Sequence, residues 1–223
     1  MSFGNSFIGN VAVEEDSGSD GGGYHIPEAP GSPAILDTFF IANEAHSCFH
    51  SGMRSWINGP PLVPLIGMNF WRNSNGFSWG AYVAEFTAYR SKFIENSGSG
   101  VGHVSVRTHA HDCLFLRDNV GWKINGYVNW SAPTTPITFY RNIVKDCVVG
   151  GMSQIHSPCV PDELRPIVAG DCAAAYVELV DNIFINIKDF DFSWHPNANS
   201  FWRVFGHQAV GRPADFVLTR KDA

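Results

Sequence analysis

The sequence predicts an all-β chain, a right-handed single-stranded parallel β-helix (a solenoid) of about seven irregular coils with loop insertions. Three observations predict it. A short segment recurs seven times, apolar and polar residues alternate inside each copy, and 22 Gly and 13 Pro punctuate the chain.

The copies in chain order are Asn5-Ser6-Phe7-Ile8-Gly9-Asn10, Thr38-Phe39-Phe40-Ile41-Ala42-Asn43, Met68-Asn69-Phe70-Trp71-Arg72-Asn73, Ser91-Lys92-Phe93-Ile94-Glu95-Asn96, Cys113-Leu114-Phe115-Leu116-Arg117-Asp118, Asn142-Ile143-Val144-Lys145-Asp146-Cys147 and Asn182-Ile183-Phe184-Ile185-Asn186-Ile187. Each sets Phe, once Val, two residues after a mostly small or polar start. The anchors fall at positions 7, 40, 70, 93, 115, 144 and 184, with spacings of 33, 30, 23, 22, 29 and 40. Alternation with period 2 is the mark of a strand, whose successive side chains point to opposite faces. The Asn or Asp near each end tolerates the left-handed backbone of a tight turn. Stacking then aligns the anchors into one internal column.

Spacings of 22 and 23 are one bare coil. Longer spacings are coils with inserts, where repeat proteins carry variable, functional surface. Residues 148–175, in the longest interval, are expected to be such an inserted loop. Seven hairpin strands of a sandwich share the alternation, but the recurring Asn end favours coils. Because the repeat begins at Asn5, and an open coil exposes apolar surface and strand edges, residues 1–223 are expected to be one β-helix domain of a longer chain. Other domains of that chain, or neighbouring subunits, are the expected partners at the open ends.

The bulk properties fit. Charged residues are 16%, below the roughly 25% typical of soluble domains. A net charge of −6 argues against nucleic acid or an anionic membrane surface as partner. No apolar run reaches the roughly 20 residues of a membrane span. Met1-Ser2-Phe3-Gly4-Asn5 lacks the basic and apolar regions of a signal peptide. Five cysteines show no Cys-x-x-Cys spacing. Cys159 and Cys172 bracket a Pro-rich stretch, 158–170, and either close it as a disulfide or stay buried thiols. Asn129-Trp130-Ser131 is a glycosylation sequon, which points to an extracellular or cell-surface setting.

Asn10-Val11-Ala12-Val13, Gly21-Gly22-Gly23-Tyr24-His25-Ile26 and Ala42-Asn43-Glu44-Ala45-His46-Ser47, with Gly52-Met53, together resemble the β-helix region of the fibrocystin and cell-migration-inducing hyaluronan-binding protein group. The repeat is otherwise that of a generic pectate-lyase-like β-helix. The specific part covers about the first 55 residues. It implies large secreted or single-pass ectodomains, some of which bind or degrade hyaluronan.

Glu14-Glu15-Asp16-Ser17-Gly18-Ser19-Asp20-Gly21 is a dense acidic run. Asp16 and Asp20 before Gly21 suit the start of a calcium loop, in which alternate oxygens wrap a hard cation. Gly18 replaces one acid of that pattern and Glu28 comes one residue late, so a solvated loop is the competing reading. The resemblance also implies acidic residues and a His here as acid/base groups, which selects Asp16, Asp20 and His25. Two carboxyl groups about 5–10 Å apart are what glycoside hydrolysis needs.

His109 and His111 share one strand face, with His103 a strand earlier, and suit either a metal or a solvent-facing ledge. His46 is expected to be packed. Trp71, Trp122 and Trp130 stand in predicted loops, where flat rings stack on sugars. Arg90, with Arg72, Arg107, Arg117 and Arg141, forms a predicted ridge for uronate carboxylates. The alternative is that the rings cap the core and the arginines pair with Asp118, Asp146 or Glu95. No Gly-rich phosphate loop and no Gly-x-Ser-x-Gly occurs, which disfavours nucleotide use and serine hydrolysis.

The expected function is an extracellular segment with a structural and recognition role that extends to glycan contact; no cofactor is required, and calcium in the acidic loop is the one candidate. A polysaccharide hydrolase or lyase and a trimeric viral spike or fibre segment are the alternatives. An enzyme would cluster perturbed acids and bases in one groove, a structural segment would scatter them, and a spike would show a three-fold apolar seam.

Overall fold

The structure, a computed structural model, describes residues 6–8, 11–13, 22–26, 39–55, 64–79, 86–105, 108–127, 137–156, 176–194, 201–206 and 208–210. Its strands follow in triplets. The first are β1 (Ser6–Ile8), β2 (Val11–Val13) and β3 (Tyr24–Ile26), then β4 (Phe39–Ile41), β5 (Glu44–His46) and β6 (Ser51–Ser55). Next come β7 (Leu65–Ile66), β8 (Asn69–Trp71), β9 (Asn75–Trp79), β10 (Phe86–Tyr89), β11 (Lys92–Ile94) and β12 (Ser99–Ser105). They are followed by β13 (Thr108–His111), β14 (Leu114–Leu116), β15 (Val120–Tyr127), β16 (Ile137–Tyr140), β17 (Ile143–Lys145) and β18 (Val149–His156). The series ends with β19 (Tyr176–Val180), β20 (Ile183–Ile185), β21 (Asp189–Trp194), β22 (Phe201–Phe205) and β23 (Gln208–Val210).

Strands in equivalent places of successive triplets pair in parallel. Sheet A runs β1-β4-β7-β10-β13-β16-β19-β22, sheet B runs β2-β5-β8-β11-β14-β17-β20-β23, and sheet C runs β3-β6-β9-β12-β15-β18-β21. Three parallel sheets stacked in this way are consistent with a β-solenoid. The segment 148–175 is strand over 149–156, in β18, so an insert there begins beyond His156; 157–175 lie outside the described residues.

Two apolar columns, not one, run through the interior, from Phe40 to Leu179 on sheet A and from Ala45 to Phe184 on sheet B, and the backbone register extends each by one strand at either end. The sheet A register aligns Phe7, Phe40, Leu65, Ala88, Ala110, Phe139, Leu179 and Val204. Sheet B aligns Ala12, Ala45, Phe70, Phe93, Phe115, Val144, Phe184 and Ala209. Each sheet B member follows its sheet A counterpart by five residues, so both columns share spacings of 33, 25, 23, 22, 29, 40 and 25. The seven-fold repeat read from the sequence merges them: Phe7 and Phe40 belong to sheet A, the later anchors to sheet B.

The merger has a packing cause. Phe40 shares its rung with Ala45, and Phe70, Phe93 and Phe115 share theirs with Leu65, Ala88 and Ala110; all are buried. On each of these rungs one of the two facing positions of sheets A and B carries a ring and the other a smaller aliphatic side chain, as close packing between them requires. Phe93 and Phe115 stack at 5.0 Å with planes 9° apart. Sheet C closes the core with Met53, Phe77, Val101 and Trp122. The Trp122 indole leaves no room for a Cβ at Gly151, its partner on the next rung.

The turns correct a second expectation. Asp146 and Asn186 are left-handed as expected, with φ of 55° and 53°, but in the copies around Phe70, Phe93 and Phe115 the left-handed residue is Arg72, Glu95 or Arg117, each with φ of 56°, and not the Asn or Asp that follows. Arg72 N–H donates to the Ile94 carbonyl and Glu95 N–H to that of Leu116, each at 2.9 Å. These bonds to the next rung offset the 1–2 kcal/mol cost of a left-handed L-residue. Asn73, Asn96 and Asp118 instead turn inward and are buried. Asn73 Nδ2 donates to the Ala45 carbonyl at 3.1 Å and Asn96 Nδ2 to that of Phe70 at 3.3 Å. A second ladder joins sheets A and B, where Asn142 N–H donates to Asn182 Oδ1 at 2.9 Å. Buried backbone polar groups at the corners need such partners.

Candidate ligand site on the outward face of sheet A

Strands β10, β13, β16 and β19 point Ala88, Ala110, Phe139 and Leu179 into the core. Alternation therefore sends their neighbours outward. The register builds two outward rows, Thr87, His109, Thr138 and Glu178 in one, and Tyr89, His111, Tyr140 and Val180 in the other. The first row is covered, with Thr87, His109 and Thr138 at 8%, 8% and 5% exposure, whereas Tyr89 is 37% exposed.

Thr138 Oγ1 lies 2.7 Å from His109 Nδ1 and 2.7 Å from His111 Nε2. A hydroxyl has one hydrogen, so it donates to one imidazole and accepts from the N–H of the other. Burial pushes the pKa of both histidines down to about 4, and the neighbouring His109 adds to the shift at His111. Both rings are neutral at neutral pH. The Tyr140 hydroxyl donates to Glu178 Oε2. His111 stacks on Tyr140 at 4.7 Å with planes 9° apart, and Tyr89 meets His111 edge-on at 5.2 Å and 74°.

Along the adjoining turn, Arg141 Nε and Nη2 donate to the two Asp112 oxygens at 2.7 and 2.9 Å. That pairing holds the Asp112 carboxyl below its ordinary range, with Arg90 contributing. Arg90 is exposed on the same turn column, with φ of 49°. The strip thus presents neutral donors and acceptors in one row and charge at its margin. His111 and Tyr140 cover each other's faces, while His111 Nε2 is engaged by Thr138 and the Tyr140 hydroxyl by Glu178; Tyr89 is set edge-on to His111.

Of the residues expected from the sequence, the described ones lie in different sheets and turns. Asp16 and Asp20, and with them the calcium loop and the acid/base trio, lie outside the described residues. His25 sits in β3 of sheet C opposite Arg54, a different sheet from the histidine pair. Trp122 is not a loop ring for sugar: it is 1% exposed and stacks on Phe139 at 4.3 Å. Trp71 is engaged by its own neighbours. It stacks on His46 at 4.0 Å, lies under the Arg72 guanidinium at 5.5 Å, and donates Nε1–H to Glu44 at 2.7 Å.

Arg72 and Arg117 both pair with Glu95, at 2.9 and 2.8 Å, so this part of the expected ridge is locally neutralised. Arg107, Asn129, Trp130, Cys159 and Cys172 lie outside the described residues. Cys48, Cys113 and Cys147 are buried. Among the described residues no group of three or more His, Cys, Asp and Glu is placed to hold a metal ion, and no helix is long and apolar enough to cross a membrane. Sequence reasoning found His109 and His111 but missed Thr138, Tyr140 and Glu178. The available signal was alternation in Thr138-Phe139-Tyr140, whose partners stand 27 and 38 residues away in the chain. No family model matches the chain, nor does any curated protein or solved structure.

Proposed function

We propose that this chain is an extracellular segment of a right-handed β-helix of about seven irregular coils, and that it recognises glycan on the outward face of sheet A. The observation that carries the reading is the strip formed by Tyr89, His111, Thr138, Tyr140 and Glu178. A saccharide is an extended run of hydroxyls, each both donor and acceptor. A neutral imidazole, phenols and a carboxylate on successive strands, about 4.8 Å apart, offer complementary partners. Tyr89 adds an exposed ring for a sugar face, and Arg90 stands at the margin for a uronate. The Asn129 sequon supports the extracellular setting, and the resemblance of the first 55 residues supports ectodomains of the fibrocystin group. Ile143 and Val148, 41% and 45% exposed, leave apolar surface on and beside sheet B that another domain or subunit would cover.

The test is calorimetric titration with neutral and uronate oligosaccharides, on wild type, Tyr89→Ala and His111→Ala. Binding at millimolar or better affinity, weakened about tenfold or more by either change, supports the reading; tenfold corresponds to about 1.4 kcal/mol. No binding across the panel, or binding indifferent to both changes, overturns it.

One observation favours a second reading, a polysaccharide-cleaving enzyme. Perturbed groups cluster on this face, with two neutral imidazoles beside a Tyr–Glu pair, which is the pattern of functional sites. His111 would then accept a proton and Tyr140 donate one. Release of reducing ends from a polymer, abolished by Tyr140→Phe and Glu178→Gln, distinguishes cleavage from binding alone.

A further inference from the structure

The polar ladder at the corner between sheets B and C contains one member that breaks its chemistry. Asn73 Oδ1 accepts the Cys48 N–H at 3.0 Å. Asn96 Oδ1 accepts Asn73 N–H and Nδ2–H at 3.1 and 3.2 Å. Asp118 Oδ1 repeats the pattern, accepting Asn96 N–H and Nδ2–H at 2.8 Å each. Each asparagine then sends its Nδ2–H to a sheet B carbonyl, that of Ala45 or Phe70. Register continues this row of carbonyls to Phe93.

The other carboxyl oxygen of Asp118, Oδ2, occupies the place of that amide nitrogen. A Cβ built at Gly52 would come within 2.9 Å of Asn73 Nδ2, and one built at Gly100 within 2.8 Å of Asp118 Oδ2. The two atoms thus face equivalent glycines two rungs apart. Asp118 is 1% exposed, and Oδ2 is buried with no hydrogen bond to a donor. An ionised oxygen there would face a carbonyl oxygen, which repels it, with no donor in compensation.

We infer that Asp118 is a proton-binding rung: it stands in the ladder as the neutral acid, and its Oδ2–H donates to the Phe93 carbonyl as an asparagine amide would. The proton belongs to the folded state. Burial pushes the carboxyl from 3.8 up to about 7, against the lowering by its bonds from Asn96. The titratable group packed against it from the next rung is Cys147, itself neutral because burial raises its thiol to about 12. The adjoining Arg117 is exposed and paired with Glu95, and Asp146 is exposed on the following turn.

The sign of the linkage follows. A folded pKa above the unfolded one contributes stability that is complete below about pH 4 and lost as the pH rises through about 7. The ladder therefore loosens on passing from acidic to neutral and alkaline conditions.

The test is chemical denaturation of the full chain and of Asp118→Asn, from pH 4 to 9. The asparagine variant supplies the amide donor without a proton. The wild-type unfolding constant is expected to rise relative to the variant by up to about tenfold per pH unit between pH 4 and 7, then to run parallel to it. Ratios independent of pH overturn the inference. As a second readout on unmutated protein, the Asp118 carboxyl carbon, labelled with 13C, should titrate near neutral pH; a midpoint near 4 also overturns it.

Discussion

Thr138 and His111 meet on the outward face of sheet A at 2.7 Å, and the same hydroxyl oxygen lies 2.7 Å from His109. One Thr138 side chain therefore serves two imidazoles on a neighbouring strand. Replacing it by Val keeps the shape and removes the hydroxyl, leaving two ring nitrogens against a methyl group. The expected cost is about 1–3 kcal/mol, the penalty of unsatisfied buried polar groups. Thr138→Ser should recover most of it. Urea unfolding of the three proteins measures both changes; equal stability for Val and Ser would mean that the shared hydroxyl contributes nothing.

The two histidines also set an acid limit. Their folded pKa values, about 4, lie below the ordinary 6.5. Their contribution is therefore complete above about pH 6.5 and lost as the pH falls through about 4. Over the same interval the Asp118 rung gains a proton and acts in the opposite direction. Two imidazoles against one carboxyl leave a net loss on acidification, up to about tenfold in the unfolding constant per pH unit. His109→Gln should flatten that slope and Asp118→Asn should steepen it. Denaturation midpoints at pH 4.5, 5.5 and 6.5 resolve the two directions; a slope unchanged in His109→Gln would exclude that residue as a source.

Two glycines in the turns and ladders differ in what they tolerate. A Cβ at Gly100 would lie 2.6 Å from the Gly121 carbonyl oxygen, 2.7 Å from Phe115 Cδ1 and 2.8 Å from Asp118 Oδ2. None of these is a flexible end, so Gly100→Ala should cost about 1–3 kcal/mol as overpacking. Gly67 has φ of +62° with nothing within 4 Å of its Cβ position, and Ala42 takes φ of 52° on the equivalent turn of the preceding triplet. Gly67→Ala should cost only the left-handed penalty, about 1–2 kcal/mol, with no change in hydrogen-exchange protection of the Asn ladder. Loss of that protection in Gly67→Ala but not in Gly100→Ala would reverse the assignment.

The stacking of parallel strands was legible because Phe70, Phe93 and Phe115 recur at nearly bare-rung spacing with polar residues between. What the sequence hid was the second column. Ala88 and Ala110 are core positions as buried as Phe93 and Phe115, but alanine carries no signal of burial by itself. The anchor appeared to continue from Phe40 to Phe70 because the ring changes sheets there, and the apparent spacing of 30 is the common rung of 25 with the five-residue offset added. Asn73 and Asn96 were legible as corner residues and misread as its left-handed position, since both roles favour a short polar side chain. The site was half legible. His109 and His111 declare a shared face by their own alternation, whereas Thr138 and Glu178 join them only through strand register, across segments whose length no local rule fixes.

The exchange of ring and methyl between columns is itself testable. Phe115 and Ala110 share a rung and are both inaccessible to solvent. Phe115→Ala removes a ring stacked on Phe93 at 5.0 Å and should cost about 3–5 kcal/mol. Ala110→Phe alone inserts a ring where Phe115 already fills the rung, and should cost about 1–3 kcal/mol or more. Carrying both changes places the ring on sheet A, the arrangement that Phe40 and Ala45 use on an earlier rung. If the rung width is the constraint, the pair should be more stable than the sum of the single changes predicts, with a coupling of about 0.5–3 kcal/mol. Additive losses in a thermodynamic cycle would show instead that Phe115 is held by its contacts to Phe93 along sheet B and to Trp122 of sheet C, and that the volume opposite it is not what fixes the column.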